Sequence, residues 1–363
     1  MKILHAAEII KGGVATVMRQ LAIHQSDKSN VEELICLVPE EQAKELLPLN
    51  AQYIKTFQRS GRNFASLMSF LRSFVGHIMR HKPDIVHVHS SFAGVLARSA
   101  LMVMRPFYRP KVVYCPHAFS FLMQGTEKKK KIYAFIERFL AVFTDEIICV
   151  SQYEKDEAVK YGLPKNKLKV VYNGVPVIEH DKSAYASPYQ TDVTNLLFVG
   201  RFDYQKGFDI LERLVKKLEG KPFHLTAVGG AVLNTDVQPL QSPQITYTGW
   251  LSSAELAPYL AHADLLIIPS RWEGFAMVPL EAMSYGLPIV ASDSTSLPEV
   301  VIEGKTGRLF PLDHEEVLLD IITSTSKSAW RAMGQEARQL FLAKFTANNM
   351  TNTTDKIYSD IIS

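Results

Sequence analysis

The chain of 363 residues is long enough for two domains with substantial cores, and 47% apolar against 21% charged residues is an ordinary globular balance. Residues 1–180 hold 25 Lys and Arg against 16 Asp and Glu, the remainder 15 against 21, so the net charge of +3 hides a basic first half and an acidic second half. An anionic partner is expected on the first half; no motif for nucleic acid accompanies it, and no run reaches membrane-spanning length.

In chain order, Met1-Lys2-Ile3-Leu4-His5 runs directly into a strand pattern without the apolar core of a signal peptide, which points to a cytoplasmic protein. Lys11-Gly12-Gly13 follows, then a helical Val14-to-Gln25 segment; such a glycine turn is either a plain turn or a place where helix N–H groups meet an anion. Further strand patterns fall at 33–38, 84–89, 111–115, 146–150 and 168–172, separated by helical stretches. Cys36, Cys115 and Cys149 lie in these strands without metal-like spacing and read as small buried hydrophobes in a reducing compartment. The apolar stripe from Phe64 to Met79, flanked by Arg62, Arg72, Arg80 and Lys82, reads as core. Two other segments alternate aromatics with cations: 102–109, and 119–136 with the run Lys128, Lys129, Lys130 and Lys131. Both are candidates for contact with an anionic membrane surface.

After a Pro/Ser/Asp-containing stretch at 176–193, the strand pattern restarts at 195–200 and recurs at 223–228, 244–248, 264–269 and 288–292. Two series of strands alternating with helices imply two doubly wound, Rossmann-like α/β lobes. Arg201 and Lys206, just after the first strand of the second series, offer a planar fork and a point charge suited to a diphosphate. In Glu273-Gly-Phe-Ala-Met-Val-Pro-Leu-Glu281, Pro279 suggests a helix start. That puts Glu273 in a strand-to-helix loop and Glu281 in the first helical turn. Residues 328–363 are helical in pattern with no further strand.

Taken together, Gly200-Arg201 with Lys206-Gly207, Glu273-Gly274-Phe275 with Pro279-Leu280-Glu281, and Gly286-Leu287-Pro288 resemble the family-4 retaining glycosyltransferases of the GT-B fold. Gly12-Gly13, Pro83 to His89, Pro116-His117 and Val171 to Val175 extend the likeness over most of the chain. The resemblance implies an acceptor-side lobe at 1–178, a nucleotide-sugar lobe at 190–344, and a last helix, about 345–363, packing back on the first, with the lobes facing across a cleft. It implies Arg201 and Lys206 on the donor diphosphate, Glu281 on the ribose and Glu273 beside the donor sugar. Backbone N–H groups of Phe275, Ala276 and Met277 would meet sugar or phosphate oxygens, with the base near Trp250-Leu251, Gly12 and Gly13 against the donor, and His117 near the attacked bond. No cofactor or metal is expected, because fixed cations and helix N-termini supply the electrostatics. Two departures are Ala276, where the family often has Gly, and Ser294-Thr295-Ser296, where it is often glycine-rich.

The expectation is therefore a retaining, metal-independent hexosyl- or N-acetylhexosaminyl-transferase. It would move a sugar from a UDP-linked donor to a lipid-linked glycan in bacterial polysaccharide assembly, docked on the inner face of the plasma membrane. A soluble sugar or sugar-phosphate acceptor and a non-catalytic nucleotide-sugar-binding protein are the alternatives.

Overall fold

A computed structural model describes residues 1–61, 63–178, 182–231 and 240–363; Arg62 lies outside the described residues. The chain divides into two lobes, one of residues 1–174 with 347–363 and one of 175–346.

The first lobe runs β1 (Lys2–Ala7), α1 (Gly13–Ser26), β2 (Glu33–Pro39), β3 (Ile54–Phe57), α2 (Phe64–His81), β4 (Ile85–His89), α3 (Ser91–Met104), β5 (Lys111–Cys115), α4 (Glu127–Ala141), β6 (Glu146–Cys149), α5 (Gln152–Lys160) and β7 (Leu168–Val170). The second runs β8 (Thr194–Arg201), α6 (Phe208–Lys217), β9 (Phe223–Gly230), β10 (Ile245–Gly249), α7 (Ser253–His262), β11 (Leu265–Ile268), α8 (Met277–Ser284), β12 (Ile289–Ser292), α9 (Leu297–Val300), β13 (Gly307–Phe310), α10 (Glu315–Ser324) and α11 (Lys327–Lys344). The last helix, α12 (Ala347–Ile362), returns to the first lobe.

All the pairings are parallel, in the orders β3-β2-β1-β4-β5-β6-β7 and β10-β9-β8-β11-β12-β13. Helices cover both faces, so central strands such as Ile85–His89 and Leu265–Ile268 are buried at every residue. In each sheet the order reverses once, between β1 and β4 and between β8 and β11. Loops leaving the carboxyl ends of strands at such a reversal form the crevice where open α/β sheets take ligands. Those after β1 and β4 carry Gly12-Gly13 and Ser90; those after β8 and β11 carry Arg201 to Lys206 and Glu273.

A buried charge network fixes α4 to the first lobe. Arg98 on α3 is wholly buried, stacks 3.7 Å above the Tyr114 ring and donates to the Glu137 carboxylate at 2.7 Å. The Tyr114 hydroxyl donates to the other Glu137 oxygen at 2.9 Å. A side chain at Gly94 would collide with the Tyr114 ring, so the α3–β5 approach requires glycine there. The three cysteines are buried and unpaired.

Several expectations need correction. Strands β3 and β13 lie outside the patterns read from the sequence. On α2, the core face is Phe70, Phe74 and Ile78, while Phe64, Met68 and Met79 of the stripe are exposed. In 119–136, Phe119 and Phe121 are fully buried and stack at 4.7 Å, so they are core and not interfacial anchors.

Candidate active site

In the second lobe, two loops meet at the β8/β11 reversal. Arg271 N donates to Gln205 O at 2.8 Å, Gln205 Nε2 to Trp272 O at 3.2 Å, and Arg271 Nη1 to Tyr204 O at 2.7 Å. Arg271 also makes a bidentate contact with Asp209 at 2.7 and 2.8 Å and stacks 3.7 Å over Tyr204. At the first turn of α6 only glycine fits: Gly207 has φ 68°, and a Cβ there would strike the Pro269 carbonyl. The loops are thus held as one rigid rim.

On this rim, Lys206 Nζ donates to Glu273 Oε1 at 2.6 Å, with the carboxylate 8% exposed and the ammonium stem 22% exposed. Arg201 donates from Nη2 to Gln205 at 2.6 Å and lies 3.1 Å from Asp203 through Nε. Both cations are therefore aimed by neighbours while remaining partly open to solvent. The Ser294-Thr295-Ser296 stretch has a visible job here: Thr295 Oγ1 accepts from Glu273 N at 3.0 Å, and Ser294 Oγ donates to Arg271 O at 2.7 Å. Hydroxyls fasten the Glu273 loop from below, a role that glycines could not fill.

Helix α8 begins at Met277, so Pro279 is its third residue and Glu281 its fifth. Glu281 consequently sits in the second turn, not the first as the sequence suggested. Pro279 is tolerated because a first-turn N–H has no intrahelical partner in any case. Ala276 offers no side-chain cap and the first turn holds no acid, so the positive helix end faces the loop unneutralised by its own residues. Phe275 is buried and packs 5.6 Å from Phe345, leaving its backbone as the part a ligand can meet. Leu251 follows β10 beside Trp250, whose ring is 60% exposed.

In the first lobe, Gly12 caps α1 at φ 59° with open space where a Cβ would go; its requirement is conformational. His117 and Ala118 also have positive φ, 54° and 99°, a costly turn for non-glycine residues. Glu154 holds it, accepting from Ala118 N at 3.1 Å, Phe119 N at 3.0 Å and Val150 N at 2.7 Å. Burial pushes the Glu154 carboxyl up to about 7, the three N–H donors opposing it. The Ser151-x-x-Glu154 spacing of a capping box was the available signal for this residue. His117 lines a groove of about 560 Å³ whose other walls include Val14, Phe92, Leu96, Met123 and Tyr133.

Sequence reasoning also missed a buried histidine cluster. His5, His87 and His89 bring ring nitrogens within 4.8 Å of one another, and His89 reaches His117. The signal was His87-x-His89 on one face of a fully buried strand.

The apolar face of α4 is the other surface feature. Ile132, Phe135 and Phe139 are 49%, 67% and 50% exposed at helical spacing, with Lys128 and Lys131 on the same side. Lys130 instead pairs with Glu127 at 3.1 Å. On the 102–109 segment, Val103 and Phe107 are 70% and 87% exposed. No helix among the described residues is long and apolar enough to cross a membrane.

Residues 11–178 match the family described as Glycosyltransferase Family 4, and residues 193–326 that described as Glycosyl transferases group 1. The chain is 38% identical to a 41.2 kDa protein in the cps region of Klebsiella pneumoniae, over 99% of both chains. It is 24% identical to the Escherichia coli UDP-Gal:alpha-D-GlcNAc-diphosphoundecaprenol alpha-1,3-galactosyltransferase, over 81% of this chain and 80% of that one. In structure it is similar to HepE of Anabaena in complex with UDP-glucose, with TM-score 0.76, 19% identity, and coverage of 99% and 100%.

Proposed function

The chain belongs to the family-4 glycosyltransferases of the GT-B fold, and we propose that it transfers a hexosyl or N-acetylhexosaminyl group, with retention, from a UDP-linked donor to a lipid-linked glycan in bacterial polysaccharide assembly. The observation that carries the donor half is the rim of Arg201, Lys206 and Glu273 at the β8/β11 reversal, facing an unneutralised helix end.

Breaking the bond between the sugar C1 and the diphosphate oxygen leaves charge on the phosphate and makes the ring oxocarbenium-like. Arg201, Lys206 and the first N–H groups of α8 stabilise that charge, so no metal is required of this reading. Glu273 contacts the donor sugar, Glu281 the ribose, and the Trp250-Leu251 loop the base. Gly12 and Gly13 let the α1 backbone approach the donor, and His117 meets the sugar near the attacked bond. The acceptor hydroxyl oxygen bonds to C1 on the face that the phosphate leaves, and its proton passes to the departing phosphate oxygen. The Escherichia coli and Anabaena relatives, with UDP-Gal in the name of one and UDP-glucose bound in the other, support the base.

A thermal-shift panel of nucleotide sugars tests this. A UDP sugar at a hundredfold its Kd should stabilise the protein by roughly 2.7 kcal/mol. A flat response to every nucleoside diphosphate sugar would remove the enzyme reading.

The acceptor half rests on the apolar groove beside His117 and on the exposed α4 face, where lysines flank aromatics as interfacial helices require. Co-sedimentation with vesicles rich in phosphatidylglycerol should capture the protein. Replacing Lys128, Lys129 and Lys131 by Gln should weaken capture on the order of 100-fold. Equal recovery with neutral and anionic vesicles would point to a soluble acceptor.

A further inference from the structure

Gln25, His5, His89 and His117 form a continuous line of hydrogen bonds. Gln25 Oε1 on α1 lies 2.7 Å from His5 Nε2. His5 Nδ1 lies 3.0 Å from His89 Nε2, and His89 Nδ1 lies 3.0 Å from His117 Nε2. At both histidine junctions the ring centroids are 5.3 Å apart and the planes 22° apart. That separation is what a 3.0 Å N···N contact along the line of centres requires, so the rings lie edge to edge with N–H and lone pair in line.

A neutral imidazole has one donor nitrogen and one acceptor. Burial keeps all of these rings neutral: His5 and His117 are pushed down to about 4, and His89 well below its ordinary value. Each N···N contact therefore takes one proton, and the direction at one end dictates the rest. The amide oxygen of Gln25 only accepts, so His5 carries its proton on Nε2. His5 Nδ1 then accepts from His89 Nε2–H, and His89 Nδ1 accepts from His117 Nε2–H.

His87, beside this line, is outside it: its Nδ1 lies 2.6 Å from the Tyr358 hydroxyl.

We propose that Gln25, His5 and His89 are positioning residues that hold His117 as its Nε2–H tautomer, leaving Nδ1 as a lone-pair acceptor. The inference rests on the reading of His117 as a group that meets substrate. It adds a specificity: Nδ1 receives a hydroxyl or amide N–H of the sugar or acceptor and repels phosphate and carboxylate oxygens.

Long-range ¹H–¹⁵N correlation spectra of the full-length labelled protein read tautomers directly, with His117 assigned by its loss in His117→Gln. The expected result is a neutral His117 with its proton on Nε2. In Gln25→Leu, which removes the terminal acceptor, both tautomers should appear. Its kcat should fall about 10- to 100-fold, as when a group that orients another is lost, with the donor KM little changed. A proton on Nδ1 in the native protein overturns the proposal, as does a Gln25→Leu variant with unchanged tautomer and kcat. Should that variant fail to fold, the native spectrum alone decides. A native protein with no transferase activity would defeat the functional reading while the spectrum still judged the relay.

Discussion

Replacing Lys206 by Met is expected to lower kcat by roughly 10²- to 10³-fold, the usual consequence of removing one fixed donor from a developing oxyanion. The ammonium lies 2.6 Å from Glu273 and is aimed by it, so its charge is in place before the donor arrives. Its effect should grow as the sugar–phosphate bond breaks, because the charge on the phosphate increases then. Steady-state kinetics should therefore show kcat and kcat/KM falling together. A rise in KM alone would mean uniform donor binding, and a change under threefold in either parameter would end the leaving-group role. The substitution also strands Glu273, only 8% exposed, without its partner. Glu273→Gln in the same background should recover stability but not rate. Mass spectrometry of the native enzyme with donor should find no sugar attached to Glu273; a trapped adduct there would replace same-face transfer by a double displacement.

The first lobe should lose stability steeply on mild acidification. Burial holds His5 down at about 4 and keeps His87 and His89 well below the ordinary range, with neighbouring histidines lowering the last two further. The unfolded chain takes up protons on these rings below about pH 6.5, whereas in the folded chain His5 resists until about pH 4 and His87 and His89 resist in the same direction. Their contribution is therefore complete above that window and lost as pH falls through it. Glu154, raised to about 7, has the opposite sign: folded protein keeps a proton that the unfolded chain has released, so its contribution fades as pH rises from about 4.5 to 7. His117 is likewise held at about 4, so four buried histidines oppose one glutamate, and the net effect near pH 5.5 has the sign of the histidines: stability falls as pH falls. Urea titrations followed by far-UV circular dichroism at several pH values measure it. All three tryptophans, Trp250, Trp272 and Trp330, belong to the second lobe, so their fluorescence provides an internal control. A first-lobe transition independent of pH between 5 and 7 would refute the prediction.

The legible part of the fold was the part made of strands covered on both faces, because continuous Val/Ile/Leu runs are what such strands require. Strands β3 and β13 escaped notice for the converse reason. Each has four residues, lies at a sheet edge and carries a cation (Lys55, Arg308), which is how exposed edges are protected from pairing with other chains. In the site, motifs within one loop were readable, while pairings across the chain were not. Lys206 and Glu273 are 67 positions apart, and nothing local reports that they touch. Placing Glu281 in the first turn of α8 failed because Pro279 was assigned to the first helical position when the helix opens two residues earlier. His117 was found through its motif, but its support comes from Glu154, Gln25 and His5, which lie on two helices and another strand.

The return of α12 to the first lobe has a consequence for biosynthesis. Tyr358 is fully buried there, its hydroxyl 2.6 Å from His87 Nδ1, and Met350 Sδ accepts from Gly174 N at 3.3 Å. A ribosome that has emerged with residues 1–174 has made seven strands of that lobe but none of the residues that close it. Every residue of the second lobe must be translated before the missing helix exists. The lobe made first is thus completed last.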